Sequence, residues 1–262
     1  MGEVIVSARN ISKTYFSKKM QTEAIRNISF EVREKETVAI MGGSGSGKTT
    51  LAKILAGIEN LTEGEYYLKG QDYSKGMPAK AKQNVSYIFQ DHNLLPWLSV
   101  EKNLLFPLEI FGKGKDPASL TKVEEALDIV GLKEYRTCLP QELSGGMMQR
   151  VGIARALVID ADLMVMDQPF GALDAITRRK LYFDFLEIFC KSGKTIVLVT
   201  NSIEEAILFS KRIYMLNGKP GEVEEVIEVN IPYKERSRDI FKDSRFRELR
   251  LRVMECVKRQ IS

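Results

Sequence analysis

The eight residues GGSGSGKT (42 to 49) constrain this chain more than any other stretch. They fit the spacing GxxxxGK[ST] and stand between the apolar run VAIM (38 to 41) and the helical pattern KTTLAKILAGI. Strand, glycine-rich turn and helix in that order aim successive backbone N–H groups at one point, and the positive end of the helix dipole faces the same point. The product is an anion cradle for the β- and γ-phosphates of a nucleotide, built from Gly42, Gly43, Ser44, Gly45, Ser46 and Gly47, with Thr50 in the following turn. Lys48 is the matching cation, and the Thr49 hydroxyl is a ligand for Mg²⁺.

The runs VSYIF (85 to 89), LMVM (163 to 166), TIVLVT (195 to 200) and RIYML (212 to 216) are too short for helices and too continuous for half-exposed strands. With VAIM they read as buried strands of a parallel sheet. Helical patterns such as ITRRKLYFDFLEIFCKS alternate with them, the rhythm of a doubly wound α/β core. Two regions depart from it. The first 35 residues and EGEYYLKGQ (63 to 71) read as a small antiparallel β-subdomain, and the stretch from about Asp91 to Arg150 as an inserted helical subdomain. A domain of residues 1–218 is expected, followed by an extension over 219–262. The extension carries VIEVNIPYKE and a helix with the apolar face Phe246, Leu249, Val253 and Val257. Because every phosphate-contacting motif precedes it, this tail is expected to be dispensable for nucleotide binding.

Composition excludes several classes. A net charge of +4, from 39 Lys and Arg interspersed with 35 Asp and Glu, gives no nucleic-acid footprint. No apolar run approaches the roughly 18 residues of a spanning helix, and the N-terminus lacks the pattern of a secretory leader, so a cytoplasmic protein is expected. One histidine and three scattered cysteines leave no zinc site and no disulfide framework.

A second site element is DLMVMDQP, which sets Asp167 at the C-terminal end of a buried strand, where ligands bind in open α/β sheets. Asp167 can hold Mg²⁺ opposite Thr49. The octapeptide LSGGMMQR (143 to 150) then narrows the field. Taken together these motifs resemble the ATP-binding subunit of ABC transporters, and the resemblance spans nearly the whole chain. It implies a P-loop NTPase (RecA-like) α/β core, ATP and Mg as cofactors, a second ATP-binding subunit and transmembrane permease partners. A solute-binding protein is an indirect partner, nucleic acid is not one, and the place is the inner face of the cell membrane.

Residue by residue, the resemblance implies that Ser144, Gly145, Gly146 and Gln149 reach the γ-phosphate of ATP held by the partner subunit. Tyr15, in SKTYF, corresponds to the aromatic residue that stacks on adenine, and Gln90 to the glutamine that touches Mg²⁺ and the attacking water. ALD (172 to 174) corresponds to the loop that crosses the dimer interface with Asp174, and Glu142 to a contact with the permease. The segments FQDHNLLPWLSVEKNL, MDQPFGALDAITR and VIEVNIPYKERSR look like the nitrate, sulfonate and taurine group of bacterial importers. Trp97 fits either a groove that grips a permease helix or a buried place in the helical subdomain.

Two positions depart from the family pattern. Gln168 stands where the family has the Glu that polarises water, and Asn201 where it usually has His. An amide positions water but cannot take its proton, and general-base help is worth roughly 10² to 10⁴ in rate. Asn201 donates a hydrogen bond but does not titrate, and His92 sits beside the coupling region instead. A hydrolysis-impaired motor subunit is therefore expected, with a non-hydrolysing subunit that completes a partner's site as the alternative. Three origins stay open on sequence alone: a substitution introduced to trap ATP, a natural degenerate site in a heterodimer, or slow homodimeric turnover.

Overall fold

The computed structural model describes residues 2–17, 20–91, 93–114, 116–171 and 175–259. The chain opens with β1 (Val4–Phe16), β2 (Gln21–Arg33) and β3 (Thr37–Gly42), followed by α1 (Lys48–Leu55), β4 (Glu63–Leu68), β5 (Gln71–Asp72) and β6 (Val85–Ile88). Three helices come next, α2 (Val100–Ile110), α3 (Pro117–Ile129) and α4 (Gly145–Leu157), then β7 (Leu163–Asp167) and α5 (Ala175–Ser192). The remainder is β8 (Thr195–Val199), α6 (Ile203–Phe209), β9 (Arg212–Asn217), β10 (Glu222–Glu228) and α7 (Ser244–Arg259). Short polar side chains start α2, α3, α4 and α6, as backbone N–H groups without partners require. Ser99 Oγ accepts from the Lys102 N–H at 3.3 Å, Asp116 from Ala118 at 3.0 Å, Ser144 from Met147 at 3.3 Å and Ser202 from Glu205 at 3.3 Å.

All five apolar runs are strands of one six-stranded sheet in the order β10-β9-β3-β8-β7-β6, parallel except for the edge strand β10. Their continuous hydrophobicity follows from two cores. Alternate side chains of a strand point to opposite faces, so Ala39 and Met41 enter one core with Met164, Met166, Ile196, Leu198, Ile213 and Met215. Val38 and Ile40 enter the other with Leu163, Val165, Val197, Val199, Tyr214 and Leu216. On the first face lie residues of α2 to α7. On the second lie α1 and the antiparallel sheet, ordered β2-β1-β4-β5.

The extension joins this frame closely. β10 pairs antiparallel with β9, so the division expected after residue 218 falls in the turn of a sheet hairpin. Phe246, Val253 and Cys256 of α7 are buried in the first core, with Leu249 and Val257 packed against it. Arg236, 4% exposed, donates to the carbonyls of Ile207, Leu208 and Ser210 at 3.0, 2.8 and 2.8 Å, closing the C-terminal end of α6. The tail is thus built into the sheet that carries the phosphate loop.

Candidate phosphate-binding site

Parallel strands bring their C-terminal ends to one edge, and that edge collects most of the expected residues. Gly42 ends β3, Asp167 ends β7, Thr200 and Asn201 follow β8, and Gln90 lies two residues beyond β6. The loop between β3 and α1 is closely packed from beneath. A Cβ built on Gly42 would lie 2.3 Å from the Leu216 carbonyl oxygen, and one on Gly47 would lie 2.2 Å from Ile25 Cγ2. Gly47 also has φ of 78°, where any larger residue is strained, so both glycines are dictated by the turn and its neighbours.

Lys48 is 6% exposed, and its Nζ donates to the carbonyls of Gly42 and Gly43 at 2.8 and 2.7 Å. Burial pushes the ammonium below its ordinary value, while the charge of Asp167 works the other way. The cation thus lies folded against the loop that phosphate oxygens would occupy. Ser46 is buried, Thr50 half-buried, and Gly45 and Ser44 exposed.

Thr49 Oγ1 donates to Asp167 Oδ1 at 3.4 Å, and the Tyr87 hydroxyl donates to Asp167 Oδ2 at 3.1 Å. Burial and the adjacent carboxylate push the Tyr87 phenol far up, so it remains a donor. A hydroxyl and a carboxylate side by side are the hard oxygen ligands Mg²⁺ prefers. Among the described residues no three acidic, His or Cys groups cluster, which suits a cation that shares its shell with phosphates and water.

Gln168 follows directly with φ of 48°, a left-handed backbone fixed by its N–H donating to the Val199 carbonyl at 2.8 Å and its carbonyl accepting from Gly171 at 2.9 Å. Such conformations in side-chain-bearing residues concentrate at functional sites. Asn201 Nδ2 donates to Gln168 Oε1 at 3.0 Å, so the two departures from the family pattern touch each other. Gln90 flanks the pair: its Cγ and Nε2 would each lie 3.3 Å from a Cβ at Gly171. Four residues beyond Asn201, the buried Glu205 accepts from Thr200 Oγ1 and, at 3.2 Å, from the Tyr182 hydroxyl.

Other expected residues lie elsewhere. Tyr15 is on β1, opposite Thr22 of β2, with Lys13 Nζ 4.9 Å from its ring centre. Ser144 caps α4 and is exposed, Gly145 is half-buried, and Gly146 and Gln149 are buried. Because α4 and α1 pack on opposite faces of the sheet, this group and the phosphate loop are separated within one chain. Glu142 accepts from the Leu139 N–H at 2.6 Å. Trp97 is 71% exposed, which resolves its two readings in favour of the surface. His92 and Ala172, Leu173 and Asp174 lie outside the described residues.

Sequence reasoning missed the turn after β9. A Cβ at Gly221 would lie 2.0 Å from the Ser46 carbonyl oxygen, and one at Gly45 would lie 2.7 Å from Lys219 Cε. The Gly221 N–H donates to the Ala24 carbonyl at 3.1 Å, and its own carbonyl accepts from Arg26 at 2.9 Å. The tail's first residues therefore buttress the loop. The Pro-Gly pair at 220 and 221 was the available signal, since it marks a turn.

The profile of the family described as ABC transporter matches residues 25–171. The chain is 41% identical over 255 residues to the aliphatic sulfonates import ATP-binding protein SsuB of Bacillus cereus, covering 97% of this chain and 96% of that protein. It is 38% identical over 233 residues to the taurine import ATP-binding protein TauB of Pelagibacter ubique, covering 86% and 83%. Among solved structures, the dimeric bacterial ABC transporter cassette MJ0796 superposes with a TM-score of 0.74 at 32% identity, over 87% of this chain and all of that one. The same cassette in a post-hydrolysis state bound to ADP and Pi gives the same values.

Proposed function

We propose, for a chain that belongs to the ABC transporter family of ATP-binding proteins, that it is the ATP-driven subunit of an importer for a small sulfonate-like anion. The observation that carries the reading is the division of the motifs. Phosphate loop, Asp167, Gln168 and Asn201 gather at one sheet edge, while the SGG group starts a helix on the other face. Neither half encloses a nucleotide alone, so two subunits facing head to tail sandwich ATP between the loop of one and Ser144, Gly145 and Gly146 of the other. Thr49, Asp167 and Gln90 hold Mg²⁺, which neutralises phosphate charge when bound. Lys48 leaves its loop carbonyls for the phosphate oxygens, Gln90 and Gln168 orient water, and Asn201 offers an N–H to the γ-phosphate. Turnover by this chain is slow, because no carboxylate stands at position 168.

The sulfonate assignment rests on the named functions of the relatives, since solute selectivity belongs to the permease and the solute-binding protein. The exposed apolar residues Phe89, Trp97, Phe106 and Ile110, between β6 and the end of α2, are the side chains offered to the permease. That docking holds the chain at the inner membrane surface. A second reading, a subunit that closes on ATP without turning it over, is favoured by the Asn201 to Gln168 bond.

Two experiments test these statements separately. MgATP titration and steady-state phosphate release on the purified chain test the ATPase, and release indistinguishable from a Lys48→Ala control selects the second reading. Disrupting the gene and growing the host on alkanesulfonate, taurine or sulfate as the single sulfur source tests the solute. Growth on all three would overturn the sulfonate assignment and leave the ATPase standing.

A further inference from the structure

A cavity of about 520 Å³ lies between α5, the start of α6, the turn at Arg238–Lys242 and α7. No motif of the phosphate edge lines it. Arg178 and Arg179 enter from α5, Arg247 and Arg250 from α7, and Glu204 is the one carboxylate among the described residues of the wall. Arg250 Nε is tied to Glu204 at 3.2 Å, Arg247 donates to the Lys242 carbonyl, and Arg179 lies 4.4 Å from the ring centre of Phe241. Guanidiniums around one space repel one another, and an anion placed among Arg179, Arg247 and Arg250 relieves that repulsion. Guanidiniums carry five donors each, so the bonds made by Arg247 and Arg250 leave donors for oxyanion oxygens. The volume lies within the range of small-molecule clefts and exceeds what a bare inorganic anion fills.

The cavity also reaches the phosphate edge. Ser202 lines it and directly follows Asn201, whose amide donates to Gln168 at 3.0 Å. Tyr182, another wall residue, has its hydroxyl 3.4 Å from Ser202 Oγ and bonds Glu205. We propose that this cavity is a regulatory site for a small organic anion bearing at least two negative charges, and that its occupancy is felt at Asn201 through Ser202. Arg179, Arg247 and Arg250 against Glu204 leave two net positive charges among these wall residues, so a doubly charged ligand is matched better than a singly charged one. By linkage, an anion that shifts Asn201 alters MgATP affinity, and MgATP alters affinity for the anion by the same factor.

The test uses the full chain and two probes, meta-benzenedisulfonate and benzenesulfonate, titrated calorimetrically. Saturable binding of the disulfonate, tighter than that of the monosulfonate, is expected. Each lost guanidinium contact weakens binding roughly ten- to hundredfold, so Arg179→Gln with Arg247→Gln should abolish it while MgATP binding persists as the check on folding. Arg247→Glu alone, at an exposed position, gives the same loss by charge reversal. The Lys48→Ala chain should bind the disulfonate normally. No saturable binding, binding unchanged in the double variant, or binding lost in Lys48→Ala overturns the site. Equal affinity for the two probes overturns the double charge. MgATP affinity unchanged by saturating disulfonate overturns the link to Asn201, and only this arm rests on the ATP-binding reading.

Discussion

Lys48 shows how a phosphate loop manages its own cation before a ligand arrives. Two carbonyl oxygens hold the ammonium at 2.7 and 2.8 Å, so its positive charge is compensated locally although it is nearly buried. Binding phosphate exchanges those acceptors for charged ones, and hydrogen bonds to charged groups are worth about 1.5 to 3 kcal/mol. Lys48→Ala is therefore expected to weaken MgATP by at least tenfold in a fluorescence titration; unchanged affinity would remove the loop from the site. At Gln168 a carboxylate should restore the missing base, raising phosphate release roughly 10² to 10⁴ fold in Gln168→Glu. The hydrogen bond to Asn201 makes that gain depend on its neighbour, so Asn201→His combined with Gln168→Glu should depart from additivity. Turnover already ordinary in the unaltered chain would refute the base argument.

Glu205, also at this scale, couples the same corner to pH. Burial raises its carboxyl above the ordinary range, against the hydrogen bonds from Thr200 and Tyr182. The folded chain then keeps a proton that the unfolded chain has released, so stability falls as pH rises from the ordinary carboxylate range through the raised value. Glu205→Gln should flatten that slope in thermal melts taken across the range. A slope unchanged in the variant would assign the dependence to another group.

Among the elements, the five parallel strands were legible because a strand buried on both faces must be apolar at every position. The phosphate loop was legible because its glycines and its Lys-Thr pair are required at fixed spacing. The tail was legible only in part: the apolar face of α7 follows from its helical period, whereas the bonds of Arg236 to backbone carbonyls and the packing of Gly221 on Ser46 leave no hydrophobic period. Nor could spacing show that Tyr87 bonds Asp167 across 80 residues, since that follows from the pairing of β6 with β7. Truncation after residue 218 removes β10, bares the edge of β9 and uncovers the loop, so the expectation of a dispensable tail gives way to its opposite. The shortened chain should lose cooperative unfolding and MgATP binding together. Arg236→Lys, which cannot span the same carbonyls, should destabilise by roughly 2 to 4 kcal/mol in urea unfolding.

For the whole molecule, the decisive fact is that the two halves of the expected nucleotide site lie on opposite faces of one sheet. Under the proposed function, a single chain binds ATP through its loop alone, and closure requires a second chain to present its SGG group. In that closed site position 168 stands beside the γ-phosphate, and like charges about 5 Å apart at an effective dielectric near 20 repel by roughly 3 kcal/mol. A glutamate at position 168 would add its charge to that repulsion, whereas Gln168 adds none. The ATP-bound dimer of this chain is therefore expected to persist long enough to sediment as a dimer in MgATP and as a monomer without nucleotide. Gln168→Glu should shorten its lifetime twice over, by restored repulsion and by hydrolysis. Ser144→Arg should prevent it, because a bulky cation fills the space at the start of α4 while leaving the phosphate loop on the other face intact. A monomer in saturating MgATP, at protein concentrations where Ser144→Arg and the unaltered chain sediment alike, would mean that this chain requires a different subunit to close its site.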